Sequence, residues 1–401
     1  MIKGFLKVDY FINTVLVFAF LAFLPWFFSI DFFDPLQNTI EDMKITDIVF
    51  SHIRDKDDFP PDTNIILINN SHLSRGSFAE ELETIASYEP KVIGIDAMYR
   101  KKKDPDEDAY LSYVFSEIEN LVIVCGLDKP LEDRFDTLNI SHPIFSDNAK
   151  LGYANIIESD EDFKTVRLSS PSEFVKDSLH ISFPVSIAGI YAPEKARKYL
   201  ERDNDREIVN YKRNIWDQGY RSLDVMDIFN NPDTLEMVRD KIVLIGYLGP
   251  TLNTLTTEDI FFSPLNKDYV GRGEPDMYGV VIHANVISQI LEEDFLNMSP
   301  EWLPYLVMVL VVFFNIVVFD KLRENFPVWS QFVTIGFVFS ELIILPLIVI
   351  VSLHYLSFEL DLGAVFFAII VSIICFELYR DSLKPLFFRF VFKNPLNKIK
   401  G

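Results

Sequence analysis

The chain has 401 residues, room for two domains, and 49% of them are hydrophobic, with 37 phenylalanines, which is heavy for a soluble enzyme. Its formal net charge is −22, but the acidic residues collect between about positions 31 and 300, while both ends carry lysine and arginine. An acidic middle argues against nucleic acid as a partner, and two cysteines, Cys125 and Cys375, suggest neither a disulfide nor a metal site.

In chain order, the first element is an uncharged apolar run, "FINTVLVFAFLAFLPWFFSI" (Phe11–Ile30), preceded by a basic cytoplasmic N-terminus over residues 1–10. It is long enough to cross about 30 Å of hydrocarbon as a helix. A cleaved signal peptide would show a shorter apolar core and a small-x-small site, whereas "PWFFSIDFFD" follows here, so the run reads as an uncleaved anchor.

Residues 31–301 read as an α/β domain with a largely parallel sheet, because short apolar strands alternate with amphipathic helices. "NIILINN" (Asn64–Asn70) is a strand, and "SFAEELETIASY" (Ser77–Tyr88) a helix with Ser77 as N-cap and Glu80 closing a capping box. "KVIGIDAMY" (Lys91–Tyr99) contains the unalternating run VIGI of a strand covered on both faces. "DAYLSYVFSEIEN" is a helix, "LVIVCGL" (Leu121–Leu127) a strand, and after an irregular stretch "KIVLIGYLG" (Lys241–Gly249) is another buried strand. A helix over Gly279–Glu293 closes the domain.

Three more apolar runs follow, at 302–319, 332–353 and 362–378, and then a basic tail, 379–401. Orientation follows from the basic residues at the ends of the spans. Lys3 and Lys7 precede the first span, Lys321 and Arg323 separate the second from the third, and the tail holds six Lys/Arg and one Asp. The loop between the third and fourth spans has no Lys or Arg but carries Glu359 and Asp361. With four spans, all basic segments fall on one side, so both termini are expected in the cytoplasm and residues 31–301 outside, on a bacterial plasma membrane. The tail segment "PLFFRFVFKNPL", with Phe387, Phe388, Phe390 and Phe392 around Arg389 and Lys393, reads as a membrane-surface anchor.

Several phrases resemble the second type of CHASE domain, the extracellular sensory domain associated with cyclases and histidine kinases. They are "PKVIGIDAMY", "LGYANIIESDEDFKTVRLSSP" (Leu151–Pro171), "DKIVLIGYLGPTLNT" with "DIFFSPL", and "MYGVVIHANVISQIL" (Met277–Leu291). The resemblance covers the whole outer domain, and the arrangement of one helix before and three after is similar to the family's. It implies an extracytoplasmic sensor that passes a signal through the membrane. About twenty residues follow the fourth span, so the output is expected from a separate membrane or cytoplasmic partner protein, or from a homo-oligomer.

Candidate chemistry is sparse. In open α/β sheets, ligands bind beyond the carboxyl ends of the strands, which here present Asn69, Asn70, Asp96, Gly126 and the loop with Gly246, Gly249 and Thr251. The expected ligand-binding set is Asn70, Asp96, Gly246 and Thr251, with Asp96 alternatively capping a turn or pairing with Arg100. The acidic run "DPDEDAY" (Asp104–Tyr110) lacks the glycine and terminal glutamate of an EF-hand and reads as a solvated loop. His283 lies within the apolar arc of its helix, so it reads as packed and hydrogen-bonded rather than catalytic or ligating. No nucleophile motif, metal site or cofactor site is found, and no catalytic residue is assigned. Within the membrane, Glu341 is the expensive residue, either functional or a neutral carboxyl hydrogen-bonded to Asn315. The expected function is a sensory or binding module anchored in the lipid bilayer. The alternatives are a scaffold subunit of an envelope complex and a membrane-anchored enzyme using Asp96.

Overall fold

The computed structural model describes residues 8–28, 44–70, 73–131, 133–156, 165–230, 232–252, 254, 256–267 and 273–386. The N-terminal lysines, the acidic stretch 157–164 and the Phe-rich tail from Phe387 onward lie outside the described residues. The chain divides into two compact units, one built from its two ends and one from Asp47–Asn297. The first described element, helix α1 (Val8–Phe28), belongs to the unit formed by the ends.

The Asp47–Asn297 unit is organised by six parallel strands, β1 (Asp62–Asn69), β2 (Val92–Ile95), β3 (Leu121–Pro130), β4 (Lys150–Tyr153), β5 (Tyr220–Leu223) and β6 (Ile242–Gly246). They lie in the order β5-β1-β6-β2-β3-β4, with Leu67 beside Leu244, Leu244 beside Gly94 and Gly94 beside Val122. The far half of β3 leaves the parallel core and pairs antiparallel with Phe135–Asn139, which leads to the hairpin Ser172–Val175 and Ser178–Ile181.

Helices cover both faces, which is why VIGI and IVLIG are apolar without alternation. On one face α2 (Arg75–Ala86) and α3 (Pro105–Glu117) pack Phe78, Leu82, Leu111 and Phe115 onto Ile66, Ile68, Ile93, Ile95 and Ile245. Burying each such side chain stabilises by about 1.5–3 kcal/mol before entropy is subtracted. On the other face lie α4 (Phe183–Tyr191) and α6 (Gly279–Glu292), with α5 (Pro193–Leu200) beside them. A Cβ on Gly94 would come within 2.5 Å of Ile187, so only glycine lets α4 approach β2 this closely.

Some boundaries differ from the sequence reading. Helix α2 begins earlier, with Ser74 as its cap accepting from the Ser77 amide (3.2 Å), because Arg75 is buried in an ion pair with Asp108 and holds the extra turn. The acidic run is not a loop. Asp104 caps α3 by accepting from the amides of Asp106 (3.0 Å) and Glu107 (3.1 Å), and the next carboxylates favour the positive helix end. The stretch read as irregular contains β4, β5, α4 and α5, whose short runs carry little periodic signal.

Helix α6 is buried over Gly279–Leu291, including its polar side. Segment Ile208–Arg213 runs along that side and is hydrogen-bonded by it. Gln289 accepts from Asn210 N (2.9 Å) and donates to the Ile208 carbonyl (3.0 Å), while Asn285 donates to the Arg213 carbonyl (2.9 Å). Ser288 donates to Asp62 Oδ2 (2.6 Å), tying α6 to the start of β1.

In the other unit, α1 packs with α7 (Trp302–Asn325), α8 (Ser330–Leu356) and α9 (Gly363–Leu378) around Val17, Val312, Ile316, Phe319 and Ile369. Three helices, Trp302–Asn325, Ser330–Leu356 and Gly363–Leu386, are long and apolar enough to cross a membrane. The apolar part of α1 that is described in full, Val8–Phe23, is shorter. The later helices outrun the apolar stretches at 302–319, 332–353 and 362–378, since polar residues extend them. Arg323, expected in a turn, lies in α7 and pairs with Glu377 (3.0 Å) and Asp381 (2.7 Å).

Candidate functional site

Because β1 to β6 are parallel, their carboxyl ends share one edge, and there the loops replace strand pairing. Asn69 is fully buried at the end of β1. Its amide donates to the Gly249 carbonyl (3.0 Å) and its oxygen accepts from Leu248 N (2.9 Å), pinning the loop after β6. Gly249 takes φ +97°, the left-handed region, where other residues would be strained. Asp224, just past β5, accepts from Val225 N (2.9 Å) and Leu252 N (3.4 Å), so it holds the same loop from the other side.

Two carboxyls, Asp96 just past β2 and Asp259 at the amino end of α6, feel surroundings that raise their proton affinity. The Asp96 amide donates to the Ile245 carbonyl (2.8 Å), and its side chain is half-buried; burial raises it to about 6. The Asp259 carboxylate oxygens lie 3.2 and 3.3 Å from where a Cβ on Gly279 would stand, and the Asp259 carbonyl accepts from Gly279 N (3.1 Å). Burial, then the charges of Asp96 and Glu258, push the Asp259 carboxyl upward, a shift that water moderates because the residue is exposed.

Under the other sheet face lies a residue that the sequence reading missed. Glu81 on α2 is fully buried, and neither carboxyl oxygen has a hydrogen-bond partner among the described residues. Burial, then the Asp224 charge, raises it to about 8. A signal existed in the sequence: Glu81 follows Phe78 by three residues and precedes Ile85 by four, which places it on the buried side of the helix.

All four expected ligand residues are at the strand-end edge, but they are not equivalent. Asn70 donates its amide to the Gly246 carbonyl (2.8 Å). Gly246 is covered by Val280, whose Cβ lies 2.7 Å from the position of an added Cβ, so it serves helix packing and cannot face a ligand. Thr251 is exposed and shares a hydrogen bond with Thr254 (2.8 Å). Asp96 does not pair with Arg100, whose guanidinium lies 3.7 Å from the Met98 sulfur.

His283 is buried at 6% exposure against Phe183, ring centroids 5.4 Å apart, edge to face. Burial lowers it to about 4, so it is neutral at physiological pH. None of the described residues hydrogen-bonds the imidazole, so the expected partner is not found. Among the described residues no group of three His, Cys, Asp or Glu could hold a metal ion. In the helical unit, the Asn315 amide nitrogen donates to Glu341 Oε2 (2.9 Å).

A second surface feature lies beside β4. A groove of about 1000 Å³ runs between Lys150–Leu151, the hairpin strand Ser178–Ile181 and helices α4 and α5, with Leu179 and Leu200 exposed along it.

The Asp47–Asn297 unit is a parallel α/β domain with loop-built strand ends, and the chain continues from it into apolar helices long enough to cross a membrane. The chain is a member of the CHASE2 domain family, whose match covers residues 14–317, from within α1 to within α7. No curated protein and no solved structure matches the chain.

Proposed function

We propose that this protein is a membrane-anchored extracytoplasmic sensor that acts through a separate partner, with its stimulus read at the strand-end crevice. The observation that carries the reading is the course of α6. It starts at Gly279, beside the Asp259 carboxylate, and stays buried to Leu291. The chain then reaches the first residue of α7, Trp302, eleven residues later. A helix packed along its whole length moves as a unit, so a change of charge or ligand at its start is felt where the chain enters the bilayer. The carboxyl pair favours a cationic or proton-donating stimulus, since a positive group beside it relieves the repulsion.

In this reading α1 is a fourth span, both termini are cytoplasmic and the Asp47–Asn297 unit is outside. The test is a thermal-shift screen of the detergent-purified full chain against amines, divalent cations and pH, repeated on Asp96→Asn. A stabilising stimulus that Asp96→Asn abolishes supports the site, whereas a response unchanged in the variant places the stimulus elsewhere.

The groove beside β4 favours a second reading, a scaffold subunit of an envelope complex, in which Leu179 and Leu200 meet another protein. Crosslinking in native membrane from a probe at Leu179 separates the two. A single stoichiometric partner captured there supports the scaffold.

A further inference from the structure

Among the described residues, every buried or half-buried arginine but one pairs with a carboxylate, as Arg75, Arg167, Arg202, Arg206 and Arg213 do. Arg54 is the exception. It follows the short helix Val49–Ile53 and is half-buried. Its Nη1 donates to Asn210 Oδ1 (2.7 Å) and to the Tyr211 carbonyl (3.2 Å), both neutral acceptors. The guanidinium carbon lies 4.4 Å from the Phe50 ring centroid and 5.8 Å from that of Phe59. The two hydrogen bonds and the stacked ring fix the plane of the group.

That anchoring leaves one edge of the guanidinium unused. Nε and Nη2 have no acceptor among the described residues, and neither is sealed in the interior. These two nitrogens form the fork with which an arginine grips both oxygens of one acid group. Arg167 shows the same fork filled, its Nε donating to Asp47 Oδ1 (2.9 Å) and its Nη2 to Asp47 Oδ2 (2.6 Å). The carboxylates near Arg54 are engaged elsewhere. Asp294, whose charge is felt at Arg54, is held by Lys212 (2.6 Å), and Asp55 accepts from the Asp57 amide (3.2 Å). Burial lowers Arg54 to about 10, so an incoming anion meets a cation already stripped of part of its water.

We propose that Arg54 is a binding site for an oxyanion, a carboxylate or phosphate group whose oxygens accept from Nε and Nη2. Soluble acids and lipid head groups share this chemistry. Asn210, which holds Arg54, also donates its amide to Gln289 Oε1 of α6 (2.9 Å), so an occupant bears on that helix. Gln289 is ten residues from Gly279, about 15 Å along the helix, so the site is separate from Asp259 and does not depend on the sensor reading.

The test follows the phosphorus NMR line width of inorganic phosphate titrated with the detergent-purified full chain, against a chloride control of equal ionic strength. Phosphate should broaden saturably, with half-saturation at about 1 mM, the range open to one arginine fork. Arg54→Gln should abolish the broadening. Arg54→Lys should weaken binding about tenfold, because an ammonium keeps the charge but cannot span two oxygens, and it decides the matter if Arg54→Gln fails to fold. No broadening, release by chloride at equal ionic strength, or binding unchanged in Arg54→Lys would overturn the proposal. Repeating the titration in nanodiscs of phosphatidylglycerol and of a neutral glycolipid separates the sources. Phosphate excluded from the phosphatidylglycerol discs alone assigns a lipid head group, and binding in both assigns a soluble acid. Either result upholds the oxyanion chemistry.

Discussion

Arg75 and Asp108 form an ion pair between α2 and α3 with side chains only 6% and 4% exposed. Asp108 also accepts from the Lys103 amide (2.8 Å), and Arg75 donates to the Lys101 carbonyl (2.5 Å) while facing the Phe145 ring at 5.1 Å. The pair is therefore built into the core. Arg75→Ala or Asp108→Ala should each destabilise the Asp47–Asn297 unit by about 3–5 kcal/mol, because one charge is left buried alone. The double change Arg75→Met with Asp108→Leu should cost far less. Urea denaturation of the three variants checks the ordering, and equal costs would mean that packing rather than charge dominates.

Glu81 sets a pH dependence of definite sign. Its carboxyl is raised from an ordinary 4.5 to about 8, so its favourable contribution is fully present below pH 4.5 and is lost as pH rises to 8. The loss amounts to roughly 5 kcal/mol across that window. Glu81→Gln should flatten the pH dependence of the urea midpoint between pH 5 and 8. An unchanged slope in the variant would assign the effect to another group.

His283 acts in the opposite sense. Its imidazole is depressed from 6.5 to about 4, so its contribution is present above pH 6.5 and is lost as pH falls to 4, by about 3 kcal/mol. His283→Gln should remove that acid limb and lower stability at pH 7.5 by about 1–3 kcal/mol, because the contact with Phe183 is disturbed. Preserved acid sensitivity in the variant would assign the acid limb to another group.

Glu341 accepts from Asn315 across α7 and α8, so its substitutions separate structure from function. Gln can still accept that bond, whereas Leu leaves the Asn315 amide unpaired at a cost of about 1 kcal/mol. A structural role predicts that Glu341→Gln assembles and signals normally. Normal assembly with lost phenotype would instead make the carboxyl's proton part of the mechanism.

The proposed orientation is checked by reporter fusion. A reporter active only in the cytoplasm should work after Gly401 and at Arg323 and fail at Asp106. Activity at Asp106 would reverse the arrangement and end the extracytoplasmic sensor reading.

Much of the architecture was legible from residue order alone. Long uncharged runs name their own solvent, so the helices from Trp302 onward were marked by composition. VIGI and IVLIG announced strands covered on both faces because a run without alternation suits no half-solvated sheet. The strand-end location of Asn70, Asp96 and Thr251 followed from parallel topology, a rule that needs no coordinates. The sequence did not reveal which of these groups face a ligand and which face protein. Gly246 looked available until Val280 was found packed over it. Asp96 looked like a partner for Arg100, but Arg100 lies at the Met98 sulfur, and the carboxyl whose charge Asp96 influences, Asp259, is more than 160 positions away in the chain. The polar side of α6 carried no sign of its partner, the segment Ile208–Arg213 that is hydrogen-bonded along it. Periodicity reports a residue's side of its own element. Burial, pairing and proton affinity depend on what distant segments place opposite it, and that is decided only when the chain closes on itself.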